Sequence, residues 1–264
     1  MRMRLLLTND DGIDSPFLHA LIHALQSAGH DLFIAAPKTE QSWIGCAKSR
    51  LRPVASAISP RDFGCPAWMI DGTPSDCVSI ALAHLLPDNA RIDAVVSGIN
   101  IGRNASLGFI LASGTIAGAW EGAIHGFPAI AFSQDLTAVQ FDAFRASGHR
   151  VDPGFQPTLD ASAARAAQLT PDLVAATPPR GFIVHNINFP YPCGHDTALR
   201  RTVPARVVVP GLFGPAADDG THRFIFKLGE DISPAEPLTD RSALEGGLIS
   251  HTVLDYSALG AIAP

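Results

Sequence analysis

Four short runs in the first half of the chain are apolar on consecutive positions: RLLLT at 4–8, DLFIAAP at 31–37, IDAVVSGIN at 92–100 and FPAIAFS at 127–133. A strand with one wet face alternates apolar and polar residues. A run without that alternation has to bury both faces, as in a parallel sheet covered by helices on each side. The intervening segments carry helical spacing. Phe17, Leu18, Leu21, Ile22 and Leu25 share one side of FLHALIHALQSAG, with Ser15 placed to cap it, Pro16 suited to its first position and Gly29 to its end. A second helix is expected in TPSDCVSIALAHLLP, after a strand in AWMIDG at 67–72, and a third in SGTIAGAWEGAIHG at 113–126. Strand, helix and strand in this order form right-handed βαβ units. The expected fold class is α/β, with a mostly parallel sheet.

The second half is less regular. Residues 134–157 are mixed, 158–176 read as an Ala-rich helix, and GFIVHNINFP at 181–190 as a further strand. From residue 200, proline and glycine punctuate short β-like runs such as ARVVVP and HRFIFKL, so the chain divides into a core over 1–199 and a β-rich extension over 200–264. With 47% hydrophobic and 17% charged residues the chain can bury a sizeable core, which excludes wholesale disorder. A net charge of −6 argues against a nucleic-acid duplex as the main partner, so an anionic ligand has to be held locally. The cysteines Cys46, Cys65, Cys77 and Cys193 form no CxxC pair, which suits a reduced cytoplasmic setting better than a disulfide framework. The apolar run in MRMRLLLTNDD is too short for a signal peptide, and no stretch reaches the length of a membrane span.

In an open α/β sheet ligands bind at the carboxyl ends of the strands. Four polar clusters fall there: Asn9-Asp10-Asp11, Gln41-Ser42, Ser97-Gly98-Ile99-Asn100, and Ser113-Gly114-Thr115 at a helix start. Adjacent Asp10 and Asp11 repel each other, and three settings tolerate the pair: a solvated turn, a phosphate-transfer aspartate, or a divalent cation. For an isolated Asp-Asp the turn is the better reading. The companion clusters shift the balance to a cation, because carboxylate, hydroxyl and amide oxygens are hard donors suited to Mg²⁺, Mn²⁺ or Ca²⁺. A helix opening on small residues at Ser113-Gly114-Thr115 offers free N–H groups to a phosphate.

TNDDGIDSP, APKTEQS, GTPSDCV, SGIN, SGTIAGAWEGAIHGFPAIAFS and HNINFP, in this order, resemble the SurE family of stationary-phase survival proteins, metal-dependent phosphatases of nucleoside monophosphates. The resemblance is close over 1–133, and NINFP with TDRSALEGGLISHTVLDY at 239–256 extends it towards the C-terminus. It implies a Rossmann-like core with helices on both faces and a C-terminal hairpin exchanged between the subunits of a homodimer or homotetramer. It further implies one divalent cation per subunit, Mg²⁺ or Mn²⁺, held by Asp10, Asp11, Ser42 and Asn100. Asn9 and Ser113-Gly114-Thr115 would lie beside the substrate phosphate, and Asp10 and Asp11 would carry the catalysis. The implied activity is a 5′-nucleotidase, releasing phosphate from a nucleoside monophosphate.

The chain also departs from that pattern. Trp43 follows Gln41-Ser42 where a small residue is usual, Ala47 takes the place of a serine in GCAKS, and Phe109 and Ile110 stand where acid commonly precedes SGT. These changes leave the metal set intact and alter the substrate pocket. They motivate an alternative, a catalytically impaired metal- and nucleotide-binding protein. A phosphoaspartyl transferase is less favoured, since the aspartates are adjacent rather than in DxD. His19 and His23 have zinc-binding spacing but lack the HExxH glutamate, so a structural pair is the better reading. His125 and His185 could protonate a leaving group, Lys48 and Arg103 could touch phosphate, and Glu121 could support the site. For the histidines a structural role is favoured, for Lys48 and Arg103 a solvated one, and for Glu121 a buried structural role is equally plausible.

Overall fold

The computed structural model of the chain describes residues 1–260, so the last four residues of the extension expected over 200–264 lie outside it. Its centre is a nine-stranded sheet. From β1 (Arg4–Thr8) the sheet grows on one side through β2 (Asp31–Pro37), β4 (Ala67–Ile70) and β3 (Ser56–Ile58). On the other side it runs through β5 (Ala94–Ile101), β6 (Ala129–Gln134), β7 (Ile183–Phe189), β11 (Ile249–Asp255) and β8 (Leu199–Thr202). Six of the eight neighbouring pairs are parallel; the exceptions are β3 with β4 and β11 with β7.

The consecutive apolar runs are buried on both faces as their composition demands: Leu5, Leu6 and Leu7 have no exposed surface, and every residue of β6 is buried. Each such leucine stabilises the fold by roughly 1.5–3 kcal/mol. One face is covered by α1 (Pro16–Ser27) and α6 (Gln156–Ala175), whose Phe17, Leu21, Leu159 and Ala163 pack with Ile34, Val96 and Phe132 of the sheet. The other face meets α2 (Pro74–Ile80), continued by a π-helical turn Ala81–Leu85, and α4 (Gly114–Ile124). A Cβ on Gly118 would lie 2.7 Å from the Thr8 side chain, and one on Gly122 would lie 2.4 Å from that of Val95. The small residues of α4 thus seat it directly on β1 and β5, and in doing so fix where its first turn lies.

Some elements escape the sequence reading. The mixed stretch 134–157 contains α5 (Ala138–Ala146), which opens with a capping box between Thr137 and Gln140. The loop after β5 contains α3 (Leu107–Ala112). Residues from 200 onward divide. Most of β8 and all of β11 complete the main sheet, α7 (Asp240–Glu245) lies between them in sequence, and β9 (Val207–Val208) pairs with β10 (Glu230–Asp231) in a separate two-stranded ribbon. The boundary expected at 199/200 therefore falls inside β8.

Candidate active site at the carboxyl edge of the sheet

β1 delivers Asn9, Asp10 and Asp11 to the edge of the sheet, and the chain then turns through Gly12, whose φ of +93° only glycine adopts without strain. The turn is closed by Asn9 Nδ2 donating to Gly12 O at 2.9 Å and by Ile13 N donating to Pro37 O at 2.9 Å, which ties the turn to the end of β2. Asp10 keeps only 3% of its surface; Asp11 is half-buried.

Two other elements close on Asp10. Gln41 N donates to its carbonyl at 2.7 Å, which brings the Gln41-Ser42 loop alongside, and Thr115 Oγ1 of α4 donates to its Oδ1 at 2.6 Å. A Cβ on Gly114 would stand 2.7 Å from Asp10 Cβ and 2.9 Å from Gln41 O, so this helix start abuts the carboxylate only with glycine there. Ser113 caps α4, accepting from Ile116 N at 3.1 Å. Thr115, implied by the resemblance to lie beside phosphate, thus gives its hydroxyl to Asp10.

Asp11 is held from the opposite strand. The register of β5 against β6 shifts between Ser97 and Asn100, at Gly98, where φ is +129° and a Cβ would lie 2.3 Å from Phe132 O. Beyond this irregularity Ile101 N donates to Asp11 Oδ2 at 3.1 Å, and Asn100 Nδ2 donates to Gly102 O at 2.5 Å. Asp10, Asp11, the Gln41-Ser42 loop, Asn100 and the Ser113-Gly114-Thr115 helix start therefore gather at one edge, with Ser42 exposed among them.

The electrostatics of this edge are unbalanced. Burial pushes the Asp10 carboxyl up to about 6, against the hydrogen bonds from Thr115. Asp11 is also raised well above the carboxylate range, first by burial and then by the charge of Asp10. Glu40, which sequence reasoning passed over, adds negative charge felt by both. Among the described residues no lysine, arginine or histidine forms an ion pair with either aspartate. Thr8 Oγ1, Asn9 Oδ1 and Ser97 Oγ are buried without a hydrogen-bond partner. Buried charges and unpaired oxygens are both costly unless compensated. A divalent cation fits that need. The side chains gathered here, those of Asp10, Asp11, Ser42 and Asn100, offer carboxylate, hydroxyl and amide oxygens, which are hard donors.

The remaining candidates go elsewhere. Lys48 Nζ lies 2.7 Å from Oε1 of the buried Glu121 on α4, and His125 Nε2 lies 3.3 Å from the same oxygen, so the Lys48 segment and the end of α4 are tied through one carboxylate. Arg103 faces Asp135 at 3.5 Å. His19 Nε2 bonds Ile13 O at 2.9 Å, and His185 contacts His251, with 2.9 Å between ring nitrogens. Trp43, next to Ser42, packs against Phe109, Phe224 and Phe226. Phe224 and Phe226 lie about 180 residues from Trp43 in sequence, and no local pattern announces that contact.

A family model described as "Survival protein SurE" matches residues 5–208. A 5′-nucleotidase SurE from Desulforudis audaxviator is 33% identical over 270 residues, spanning 98% of this chain and 96% of its own. Another from Rhodopirellula baltica is 34% identical over 258 residues, spanning 97% and 93%. The crystal structure of the SurE protein from Aquifex aeolicus superposes with a TM-score of 0.73 at 26% identity, covering 98% of each chain.

Proposed function

Because the chain belongs to the SurE family, we propose that it is a divalent-cation-dependent phosphomonoesterase that hydrolyses nucleoside monophosphates to nucleoside and phosphate. The observation that carries this reading is the carboxylate pair at the sheet edge, Asp10 buried and Asp11 half-buried, with no cationic side chain among the described residues paired to either and unpaired oxygens around them. Asp10, Asp11, Ser42 and Asn100 would hold one Mg²⁺ or Mn²⁺. When bound, that ion supplies Lewis acidity towards a phosphate oxygen and offsets the charge of the aspartates.

The protein's own groups do the rest. Thr115 fixes the Asp10 carboxylate, and Ile101 N fixes one oxygen of Asp11, so both face the reaction in a single orientation. The start of α4 at Ser113-Gly114-Thr115 places the positive end of a helix against the phosphoryl oxygens, where it opposes charge building up in the transition state. An aspartate takes a proton from the attacking water. The new P–O bond forms as the ester P–O bond breaks, and the leaving alkoxide takes the proton that the aspartate has accepted. Asn9 stands beside this site, its Oδ1 an unpaired acceptor that suits the hydration shell of a cation.

Three lesser readings accompany this one. The exposed Val208, Ile225, Leu228 and Ile232 support residues 200–264 as an oligomerisation extension covered by a second copy of the chain, in a homodimer or homotetramer. The described cysteines are all free, which supports a cytoplasmic setting. No described helix is long and apolar enough to cross a membrane.

The test is phosphate release from AMP, GMP, CMP, UMP and p-nitrophenyl phosphate with Mg²⁺, Mn²⁺ or EDTA, for wild type and Asp10→Asn. Turnover that needs the cation and falls at least 100-fold in the variant is expected. A protein that binds the cation and turns over none of these esters would instead be the impaired binding protein.

A further inference from the structure

Four aromatic rings from three distant parts of the chain meet beside the carboxylate site. Trp43 lies 5.5 Å from Phe109 in an edge-to-face contact, 4.9 Å from Phe224 and 6.1 Å from Phe226, measured between ring centres. Phe109 and Phe226 are 5.7 Å apart, and Phe213 backs Phe224 at 5.8 Å. The cluster is not a buried core: Trp43 keeps 41% of its surface, Phe224 44% and Phe226 56%. Aromatic rings in a folded interior are normally covered, and an exposed apolar patch marks a binding surface.

The cluster is also joined to the site by covalent and hydrogen-bonded connections on two sides. Trp43 follows Ser42 directly. Its backbone sits at φ +63°, a conformation that costs a bulky residue of the order of 1–3 kcal/mol and is held here by the contacts of its ring. Phe109 lies on α3, whose last residue Ala112 accepts from Gly45 N at 2.9 Å and leads straight into Ser113. The wall that carries the rings is therefore the same loop and helix that carry Ser42 and the start of α4. The rings thus stand on segments that flank the edge where Asp10 and Asp11 lie.

Resting on the proposed phosphomonoesterase reading, we infer that Trp43 and Phe109, with Phe226 from the C-terminal segment, form a stacking subsite that selects phosphomonoesters whose leaving group ends in a flat ring system, such as a purine base. Aromatic faces hold bases without reading their hydrogen-bonding edges, so this subsite discriminates ring from no ring rather than one purine from another. Trp43 and Phe109 are accordingly specificity-determining residues and not catalytic ones.

The test compares AMP with ribose 5-phosphate, which carries the same primary phosphate ester and lacks the base. In wild type with Mn²⁺, kcat/KM for AMP is expected to exceed that for ribose 5-phosphate at least tenfold. In Trp43→Gly, where glycine accepts the left-handed backbone, and in Phe109→Ala, that ratio is expected to fall about tenfold. A merely structural role for the rings would change both substrates together and leave the ratio where it was, which overturns the inference. So does a wild-type ratio near one. If neither ester is hydrolysed, the phosphomonoesterase reading fails, and calorimetric binding of the same two compounds decides whether the subsite exists. Tighter binding of AMP that is lost in Trp43→Gly supports it, and equal binding in wild type and variant overturns it.

Discussion

Asp10 and Asp11 set stability and turnover against each other. Asp10 is buried and Asp11 half-buried, the charge of Asp10 raises the cost of charging Asp11, and among the described residues no cationic side chain is paired with either. Asp11→Asn removes one charge and leaves a side chain of the same shape. In EDTA the variant should melt higher than wild type, by about 2–4 °C for a gain of ~1 kcal/mol in a chain of this size. Added Mn²⁺ should then raise the melting temperature of wild type and leave that of the variant nearly unmoved. A variant that melts lower in EDTA and still responds fully to Mn²⁺ would remove Asp11 from the cation set. The aspartates were legible in the sequence because they are adjacent and follow a buried strand. The partner that orients Asp10 was not, since Thr115 lies 105 residues further on and only the packing of α4 on the sheet brings the two together. The charge of Glu40 was missed for the same reason, because the turn around Gly12 brings the loop after β2 against the one after β1.

Among the elements, α4 shows how a helix can be built to fit a site. Gly114, Gly118 and Gly122 each face an atom closer than 3 Å to where a Cβ would stand, so one side of the helix is stripped down to the backbone. Gly114→Ala would push the helix start away from Asp10 and the Gln41 carbonyl. Such overpacking costs about 1–3 kcal/mol, and a displacement of the order of 1 Å in a catalytic group costs roughly 100-fold in rate. Turnover of AMP by Gly114→Ala should therefore drop by about that factor while the protein remains folded by circular dichroism. Near-normal turnover would show that α4 does not position the reaction. The core strands were readable because burial on two faces removes polar residues from consecutive positions. β3 was not, since its three residues are all exposed. α3 was not, since six residues carry too little periodicity to stand out. α5 did carry a signal, the Thr137 and Gln140 capping box, in a stretch whose weak amphipathicity masked it.

Across the whole molecule, the least legible part of the fold is the far edge of the sheet, where pairing depends on strands separated by some 50 residues. There β7, β11 and β8 place His185, His251 and Arg201 side by side. Burial pushes both imidazoles down to about 4, His185 further lowered by Arg201 and His251 by His185 and Arg201. The folded state therefore leaves these rings neutral, while the unfolded chain protonates them below about 6.5. More protons on the unfolded side mean that stability is full above that pH and is lost as pH falls from about 6.5 towards 4. The raised Asp10 and Asp11 contribute with the opposite sign in the same window, so the histidine pair is read in the difference of urea midpoint between wild type and His251→Asn, which should shrink or reverse as the medium is acidified. A difference that stays constant with pH would show that the pair does not titrate with folding.

The position of β11 has a consequence for how the protein is made. The first seven strands to leave the ribosome, β1 to β7, include every partner needed to zip β3-β4-β2-β1-β5-β6-β7 into a sheet, but β8 touches that sheet only through β11. Because β8, β9, β10 and α7 all precede β11 in the chain, it reaches the open edge of β7 only after they have been made. Until then β7 is an unguarded edge and β8 is a strand without a seat. A nonsense codon shortly before Ile249 would therefore delete two strands from the sheet rather than one, and would leave the newborn protein with an open template for joining its neighbours.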